Sequence, residues 1–574
     1  MSSSAKVKYH VSFENATSHQ VTVQIEIPSK LLKGDTLRFK VPVWTPGSYK
    51  VREFARNITT IEAGSKGQDL QVRVEDKNSW LVTGTENTDV TITYQVYAFS
   101  LGVRESYLDQ FMAFLHGPST FGYIDGCQHE EIELSFDLLE GWTAHAALKD
   151  KGKAKFLAND YDHLADSPIA IGEFEVMEYE SGNVPHKIVM IGEGNYQSER
   201  IIEDFKKISD EQVKLFGTHP SSPCYIHFIQ HVDQGGGGLE HANCQTSQVN
   251  RFVYNDPVAY RKFLGLISHE YFHLWNIKRI RPIELGPFDY DTENYTELLW
   301  VAEGITSYYD DLILRRVGLH SRESYLEEMA KDINRLQNQY GRRNMSLDEA
   351  SKLAWIKAYL PDENSLNATI SYYNKGKLVA WMLDQMIVER SLGKRSLDDL
   401  MRELYETFYL KEDRGFNHQE FIAAASKVAE TDLSEFFDKY VFGTEELPYE
   451  SVLNFYGLKM TDQNQPKPGA GLKSKKDGNQ ILVTYVENQS QAEKAGISVN
   501  DEIISIDGWR VKDQLENELK RYSIGQTVEI RFARKGKMNA TQLTLDKDHS
   551  VNYKIESDPN ADENAKVRGE RWIN

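Results

Sequence analysis

Two histidines and a glutamate stand close together in an apolar part of the sequence. His269, Glu270 and His273 form an H-E-x-x-H pattern, and most residues around them are Phe, Leu, Ile or Trp. Histidines four positions apart share one face of a helix, so both imidazoles can bind the same metal ion. The pattern predicts one zinc ion per chain, with Glu270 placed to take a proton from metal-bound water. The alternative is a chance pattern of packed histidines, which the cost of burying unpaired polar groups disfavours.

A catalytic zinc ion needs a third protein ligand, because its fourth position stays open for water. Glu303 suits this role, since it lies 30 positions after His273 in the sequence W-V-A-E-G-I, where its neighbours are apolar or small. This separation allows a turn and a second helix packed beside the first. An exposed helix glutamate is the alternative, but these neighbours do not suit a solvent-facing position. We therefore expect His269, His273 and Glu303 to be the metal ligands.

The helix that carries the H-E-x-x-H pattern is predicted from its end signals. Asp256 suits an N-cap, and Pro257 suits the first turn. Pro282 is expected to stop the helix, which would then extend to about Arg281. Because the helix is apolar almost all round, we expect it to be buried.

Changes in the hydrophobic pattern divide the 574-residue chain into four segments. Residues 1–180 alternate apolar and polar positions between Gly, Asn and Asp turns, which predicts a β-sandwich. Residues 181–458 combine short apolar strands with long helical patterns and form the predicted catalytic domain. After a linker, residues 463–548 predict a small α+β domain, and the polar residues 549–574 predict an extended tail. The predicted fold class is therefore multidomain α+β.

The charge and the composition limit the partners and the compartment. A net charge of −20 argues against nucleic acid and anionic membranes as partners, because both require a basic surface. No apolar run approaches the roughly 20 residues that span a bilayer. Three scattered cysteines, Cys127, Cys224 and Cys244, do not form a disulfide framework. These features favour a cytoplasmic protein, although a chain from which a signal peptide had been removed would look the same.

Several motifs resemble those of known peptidases. The H-E-x-x-H pattern and the W-x-x-E-G sequence from Trp300 to Gly304 together resemble thermolysin-like zinc peptidases whose third ligand is a glutamate, including the aminopeptidase N family. The P-x-W-x-P-G-S-Y sequence that begins at Pro42 and the residues from His269 to Pro282 look like the glycyl aminopeptidase family. The resemblance covers nearly the whole chain and implies an N-terminal β domain, a thermolysin-like catalytic domain and a PDZ domain. It also implies an aminopeptidase that prefers a small first residue, glycine or alanine.

The resemblance extends to two substrate-binding segments. Gly237, Gly238 and Glu240 belong to a G-G-L-E-H sequence that partly matches the G-x-M-E-N segment of aminopeptidase N relatives, whose glutamate binds the free amino group of the substrate. The match implies a peptide with a free N-terminus bound by Glu240, and glycines that let the backbone approach it closely. Tyr373 begins a Y-N-K-G sequence that resembles the Y-x-K-G segment, in which the tyrosine donates a hydrogen bond to the oxyanion. Tyr372 is the alternative donor.

The segment after residue 463 resembles a PDZ domain. Gly469, Gly471 and Leu472 belong to a G-A-G-L sequence, and such loops present backbone N–H groups to the carboxylate of a peptide C-terminus. The alternative is a packing domain whose groove is blocked by the rest of the chain. We expect the domain to be separable from the chemistry, so that a chain ending near Tyr456 remains active.

Two other functions are compatible with parts of these patterns. A non-catalytic PDZ-containing scaffold for peptides would not need an intact set of His269, Glu270 and His273. A zinc endopeptidase would use the same chemistry without an anchor for the amino group, which Glu240 argues against. In that case Glu240 would pair with a protein cation, for which Lys278 is a candidate, as is its neighbour Arg279.

Overall fold

Alternating apolar residues build the N-terminal β-rich part of the protein. In the computed structural model, which describes residues 6–573, the strand Gln20–Ile27 shows this pattern clearly. Its valines and isoleucines are at most 1% exposed, and the residues between them are more exposed. A strand places every second side chain on the same face, so this pattern gives one buried face. The buried faces of this strand and its neighbours share one hydrophobic core.

The strands of this part form two sheets. In the larger sheet Val7–Asn15 and Ile132–Asp137 are parallel, and the other pairings are antiparallel. The spatial order of its eleven strands is Tyr123–Ile124, Thr36–Lys40, Ser79–Thr83, Gln68–Asp76, Ile58–Ser65, Val90–Tyr97, Gln20–Ile27, Val7–Asn15, Ile132–Asp137, Lys155–Ala158 and Lys149–Asp150. The order in the four-stranded sheet is Thr143–Ala146, Ile169–Gly172, Met112–Leu115 and Tyr107–Leu108.

A five-stranded mixed sheet follows along the chain. Its three central strands are parallel, and its two outer strands are antiparallel to their neighbours. Their spatial order is Glu175–Ser181, Val184–Ile191, Tyr225–Val232, Cys244–Asn250 and Gly237–Glu240. The edge strand Gly237–Glu240 therefore has one edge without a neighbouring strand in this sheet.

The chain divides into two units by its contacts, and the sheets above belong to the first. This unit contains the residues up to Thr296, Tyr309–His320 and Leu397–Ala424. Its helices are Gly117–Thr120, Tyr161–Ala165, Ser198–Phe216, Pro257–Phe272 and Leu397–Leu404, and a π-helix covers Tyr405–Lys411.

The H-E-x-x-H helix is the segment Pro257–Phe272. The Asp256 side chain accepts hydrogen bonds from two backbone N–H groups of its first turn, at 2.9 Å each, as an N-cap does. The predicted end of this helix near Arg281 is wrong. Ile277 has a φ of 133°, which a helix cannot contain, and the chain turns there. No Gly or Pro lies between His273 and Pro282, so the residue types do not predict this turn.

The second unit contains Glu297–Tyr308, Ser321–Ser396 and the residues from Ala425 onwards, and its first part is helical. Its helices are the π-helix Trp300–Ile305 and the α-helices Arg322–Gln337, Leu347–Lys352, Ala354–Lys357, Ser365–Ala368, Tyr372–Arg390, Ser434–Tyr440, Tyr449–Phe455 and Glu563–Ile573. Two further helices are Thr306–Arg316 and His418–Ala429. Among residues 6–573, none of the helices has the length and the apolar composition needed to cross a membrane.

The C-terminal PDZ-like part is a small β domain with its own hydrophobic core. Its strands are Leu472–Asp477, Gln480–Val486, Glu502–Ile506, Trp509–Arg510, Thr527–Arg534 and Lys537–Thr544, and its short helices are Gln491–Lys494 and Leu515–Glu518. The strands Leu458–Asp462 and Tyr553–Ser557 pair on either side of it, so the domain is an insertion between two paired strands. The predicted multidomain α+β class is confirmed, with an N-terminal β-rich part, a helical part and this domain.

The residues after 549 do not form the predicted extended tail. They contain the strand Tyr553–Ser557 and the helix Glu563–Ile573. Trp572 is 8% exposed and stacks on Trp381 and Tyr456. Trp572 and Ile573 are buried at the end of a segment whose polar composition concealed the helix.

We predict that the PDZ-like domain can be removed only if the C-terminal helix is kept. A chain ending at Tyr456 should lose much of its helical stability, because Trp572 leaves the core. Replacing residues 464–551 by a two-residue Asn-Gly turn should preserve it, since Gln463 N–H already bonds to the Asn552 carbonyl at 2.9 Å. Thermal unfolding of both chains measures the difference.

Two tryptophan variants provide a matched control for this prediction. Trp572→Ala should cost about 3–5 kcal/mol in the free energy of unfolding, as expected for a buried tryptophan. Trp509→Ala should change it by less than about 0.5 kcal/mol, because Trp509 is 77% exposed. Equal stabilities of these two variants would contradict a structural role for the C-terminal helix.

Candidate functional site

The edge strand Gly237–Glu240 presents a buried carboxylate at its end. Glu240 is 4% exposed, and within the described part of the chain its carboxylate takes part in no hydrogen bond or ion pair. Lys278 instead lies 2.8 Å from Asp166, and Arg279 donates to backbone carbonyl groups. Burying a carboxylate without a partner is costly, so Glu240 is suited to a cation that comes from outside the chain.

The Glu270 carboxylate lies against the edge strand. A Cβ atom added at Gly238 would come 2.0 Å from a Glu270 carboxylate oxygen, so this approach requires glycine. The Gly238 carbonyl accepts a hydrogen bond from Arg104 at 3.2 Å, which holds the strand in place. One side-chain oxygen or nitrogen atom from each of Glu240, Glu270 and His273 lies within 4.8 Å of the other two. A cation bound to Glu240 would therefore be close to Glu270.

Both histidine rings of the H-E-x-x-H pattern are oriented through Nδ1. The His273 Nδ1–H donates to the Asn276 carbonyl at 2.8 Å, and the His269 Nδ1–H donates to the Asp310 carboxylate at 3.2 Å. Each bond places the lone pair of its ring on Nε2, as is usual for histidines that bind metals. The early end of the H-E-x-x-H helix explains the first bond, because the turn at Asn276 brings that carbonyl to the ring.

Tyr271 of the H-E-x-x-H helix takes part in a chain of hydrogen bonds with two histidines. The His219 Nε2–H donates to the Tyr271 hydroxyl, which donates to His186 Nε2, both at 2.9 Å, and the His186 Nδ1–H donates to the Val184 carbonyl. Burial lowers the pKa of His186 to about 4 and that of His219 to about 3. Both rings are therefore neutral at pH 7 and add no positive charge next to the H-E-x-x-H helix.

In the second unit, two glycines bring together the helices that carry Glu303 and Tyr373. A Cβ atom added at Gly304 would lie 2.5 Å from the Gly376 Cα, so the backbones of the π-helix and the helix Tyr372–Arg390 touch. Glu303 is 3% exposed, although its side chain ends in a carboxyl group. Tyr373 is half-buried, whereas Tyr372 is 1% exposed.

The three predicted metal ligands lie on two elements. His269 and His273 lie at the end of the H-E-x-x-H helix in the first unit, and Glu303 lies on the π-helix of the second unit. Two imidazoles and one carboxylate, with a fourth position left for water, are a common ligand set of catalytic zinc. Because each ring donates through Nδ1, Nε2 is the nitrogen that would bind such an ion, so the donor chemistry fits zinc.

The N-terminal β-rich part supplies one wall of the site. Gly47 has a φ of 83°, and a Cβ atom added there would lie 2.6 Å from a Glu240 carboxylate oxygen. The Trp44 indole N–H donates to the Asp289 carbonyl at 2.8 Å, which fixes this turn on the chain after the H-E-x-x-H helix. A small cavity with mainly apolar walls adjoins Glu240, and it is lined by Trp44, Pro46, Gly47, Tyr49, Glu240, Ile277, Lys278, Leu285 and Phe288.

Asp166 connects the N-terminal part to the segment that follows Glu240. Its carboxylate accepts hydrogen bonds from His241 Nδ1 at 3.0 Å, from the Ala242 N–H at 2.8 Å and from Lys278 Nζ at 2.8 Å. Although burial raises the pKa of Asp166, the charge of Lys278 and the bond from His241 outweigh it and hold that pKa well below its usual range. The carboxylate is therefore ionised at neutral pH.

The predicted carboxylate-binding loop of the PDZ-like domain lies beside an occupied strand edge. Gly471 has a φ of 69°, and Leu472 begins the edge strand Leu472–Asp477. On that strand, the Ser474 N–H and hydroxyl both donate to the Glu516 carboxylate, at 3.1 and 2.6 Å. A peptide that extends the sheet at this point must displace Glu516. The other predicted loop residue, Gly469, pairs with Asp546.

Three residues of the site were missed by sequence reasoning. Asp166, Asp310 and Asn276 orient residues of the H-E-x-x-H pattern or of the G-G-L-E-H sequence. The first two are distant in the chain, and an isolated aspartate carries no sequence signal for such a contact. Asn276 acts through its backbone carbonyl, which its residue type does not reveal.

Comparison with known families extends over most of the chain. The model of the peptidase M61 N-terminal domain matches residues 8–173, that of the M61 glycyl aminopeptidase matches residues 262–379, and that of a PDZ domain matches residues 457–545.

Solved and curated proteins resemble the chain to different extents. The crystal structure of an aminopeptidase N family protein from Idiomarina loihiensis is 30% identical, with a TM-score of 0.89 over 99% of this chain and 100% of that chain. Yeast LTA4 hydrolase in complex with bestatin is 14% identical, with a TM-score of 0.46 over 78% of this chain and 68% of that chain. The serine protease Do-like HtrA of Bacillus subtilis is 33% identical over 107 residues, which are 18% of this chain and 24% of that protein's length.

We predict that Gly238→Ala abolishes most peptide hydrolysis without unfolding the protein. The added methyl group would push the Glu270 carboxylate away, and a displacement of about 1 Å can reduce a rate about 100-fold. Gly265→Ala, on the helix that carries Glu270, is the control, because its Cβ atom would meet only Leu314, at 4.0 Å. Steady-state hydrolysis and thermal unfolding are measured for both; a fully active Gly238→Ala would contradict the placement of Glu270.

Proposed function

The chain belongs to the M61 glycyl aminopeptidase family, and from this premise we propose that it is a zinc aminopeptidase that removes a small first residue, glycine or alanine, from peptides. The observation that carries the proposal is the Glu240 carboxylate, buried without a partner in the described chain and within 4.8 Å of side-chain atoms of Glu270 and His273. An ammonium group at the N-terminus of a peptide is the cation that this carboxylate suits.

His269, His273 and Glu303 would hold one zinc ion per chain. When bound, zinc polarises the scissile carbonyl and lowers the pKa of water toward neutrality. The burial of His273 and Glu303, at 1% and 3% exposure, supports this role, because an imidazole and a carboxylate held away from bulk water are suited to bind a metal cation.

Glu270 would act as the general base. It takes a proton from the attacking water and passes that proton to the leaving amine. Its 5% exposure and its contact with Gly238 keep the carboxylate in one place and exclude most water. Tyr373 would donate a hydrogen bond to the oxyanion, which is typically worth about 2.7–4 kcal/mol. Its half-buried position suits this contact with substrate better than the full burial of Tyr372.

Glu240 would bind the substrate ammonium and so place the first peptide bond at Glu270. The small cavity beside Glu240 supports a preference for glycine or alanine, because it has room for about one water molecule and has mainly apolar walls. A larger first side chain would have to displace Trp44 or Phe288. An endopeptidase would leave the Glu240 carboxylate buried and without a cation, so this alternative is disfavoured.

Two further proposals concern partners and location. A peptide C-terminus is a candidate ligand of the loop from Gly469 to Leu472, but it must displace Glu516 from Ser474. The three cysteines are free thiols, which suits a reducing compartment such as the cytoplasm.

We predict that metal binding and proton transfer can be separated by mutation. His273→Ala should lose most of its zinc, because a ligand is removed. Glu270→Gln should keep about one zinc per chain and lose a factor of about 10²–10⁴ in kcat, because only the base is removed. Metal analysis and steady-state kinetics of the two variants test this. Full zinc content in His273→Ala would exclude this ligand set, and normal turnover in Glu270→Gln would require another base.

We predict that wild-type protein strongly prefers a free amino terminus. An N-acetylated peptide carries no positive charge at its N-terminus and leaves Glu240 unpaired. Its kcat/KM should therefore be at least about 100-fold lower than that of the free peptide. Glu240→Ala should lose most of this discrimination. The comparison uses one alanyl peptide in free and acetylated forms. Equal cleavage of the two forms by wild-type protein would exclude an aminopeptidase and leave a zinc endopeptidase.

A further inference from the structure

A lysine stands next to the proposed ammonium site. Lys278 and Glu240 both line the small cavity beside Gly47. A lysine side chain ends in an ammonium group, which has the same charge and the same three N–H donors as the amino terminus of a peptide. Lys278 is therefore a potential competitor of the substrate for the Glu240 carboxylate.

In the structure, Lys278 pairs with Asp166 and not with Glu240. The Lys278 side chain is 8% exposed, and its Nζ lies 2.8 Å from Asp166 Oδ1. Asp166 is itself held by His241 Nδ1 at 3.0 Å and by the Ala242 N–H at 2.8 Å. It lies at the C-terminal end of the helix Tyr161–Ala165, in the N-terminal β-rich part. The lysine is thus paired with a fixed carboxylate that belongs to a different part of the unit.

The same carboxylate also holds the chain that follows Glu240. His241 and Ala242 come directly after Glu240, and both donate to Asp166. His241 is 2% exposed, so its ring has little freedom to turn away. The Asp166 carboxylate therefore makes two kinds of contact. It holds the residues that directly follow Glu240, and it pairs with Lys278.

We propose that Asp166 is a positioning residue that withholds Lys278 from Glu240 and so keeps the Glu240 carboxylate available for the ammonium group of the substrate. This inference rests on the proposed function, because it requires Glu240 to bind that group. Without the Asp166 charge, Lys278 would keep a buried ammonium that has lost its carboxylate partner. Among the residues that line the cavity, Glu240 is the acidic one, so its carboxylate would become the new partner of Lys278.

The proposal predicts a defect in substrate binding that a second mutation repairs. In Asp166→Asn, Lys278 should occupy Glu240, and KM for a free alanyl peptide should rise at least about tenfold, equivalent to about 1.4 kcal/mol. The value of kcat should change much less, because the metal ligands and Glu270 are untouched. In the double variant Asp166→Asn/Lys278→Met the competing ammonium is absent, and KM should return to within about threefold of wild type.

A matched control separates this effect from a general loss of charge. Asp162 lies on the same helix and accepts a hydrogen bond from the Tyr290 hydroxyl at 2.8 Å. Asp162→Asn removes an equal charge without releasing Lys278, so KM should stay within about twofold of wild type. Thermal unfolding and zinc content are measured for every variant.

The outcomes are distinct. An unchanged KM in Asp166→Asn, or a double variant as impaired as the single one, overturns the proposal. If wild-type protein cleaves free and N-acetylated peptides equally, the aminopeptidase function fails and the inference falls with it. If Asp166→Asn does not fold, the double variant is compared with Lys278→Met instead. Equal KM values are expected there, and a tenfold higher KM in the double variant would overturn the proposal.

Discussion

The Glu240 carboxylate is 4% exposed, and no donor or cation among residues 6–573 satisfies it. Removing such a group from water costs several kcal/mol unless a partner repays it. The surrounding structure nevertheless holds the carboxylate in place, with Gly47 on one side and the side chains of Glu270 and His273 within 4.8 Å. An enzyme that binds a substrate cation needs this arrangement, because a carboxylate already paired within the protein would have to break that pair at each turnover.

Close backbone approaches make the arrangement possible. Gly47 and Gly238 each lie where a Cβ atom would collide with a carboxylate, of Glu240 and of Glu270 respectively. In the second unit, Gly304 and Gly376 meet, so the helices that carry Glu303 and Tyr373 can touch. Each of these four glycines, which come from four separate motifs, is thus explained by a close approach that a side chain would block, and not by backbone flexibility. The N-terminal β-rich part contributes to the site through Gly47 and Asp166.

The sequence predicted the fold class and the family, because the H-E-x-x-H pattern and the alternation in the N-terminal strands are local signals. The ligand set, the base and the ammonium site remain predictions that the geometry supports. The end of the H-E-x-x-H helix was predicted wrongly, because the turn at Ile277 depends on tertiary contacts and not on a Gly or Pro. Asp166 and Asp310 were not predicted at all, since their roles arise only when distant segments meet. The helix that contains Trp572 was hidden in a polar segment.

The position of a bound amino group tests this arrangement most directly. Crystals of the zinc-loaded Glu270→Gln variant with an alanyl peptide, measured at the zinc absorption edge, would locate both the metal and the peptide. We expect one anomalous peak between His269, His273 and Glu303, and the peptide amino nitrogen about 2.7–2.9 Å from the Glu240 carboxylate. A peptide whose amino group lies away from Glu240, or a Glu240 carboxylate occupied by Lys278, would contradict it.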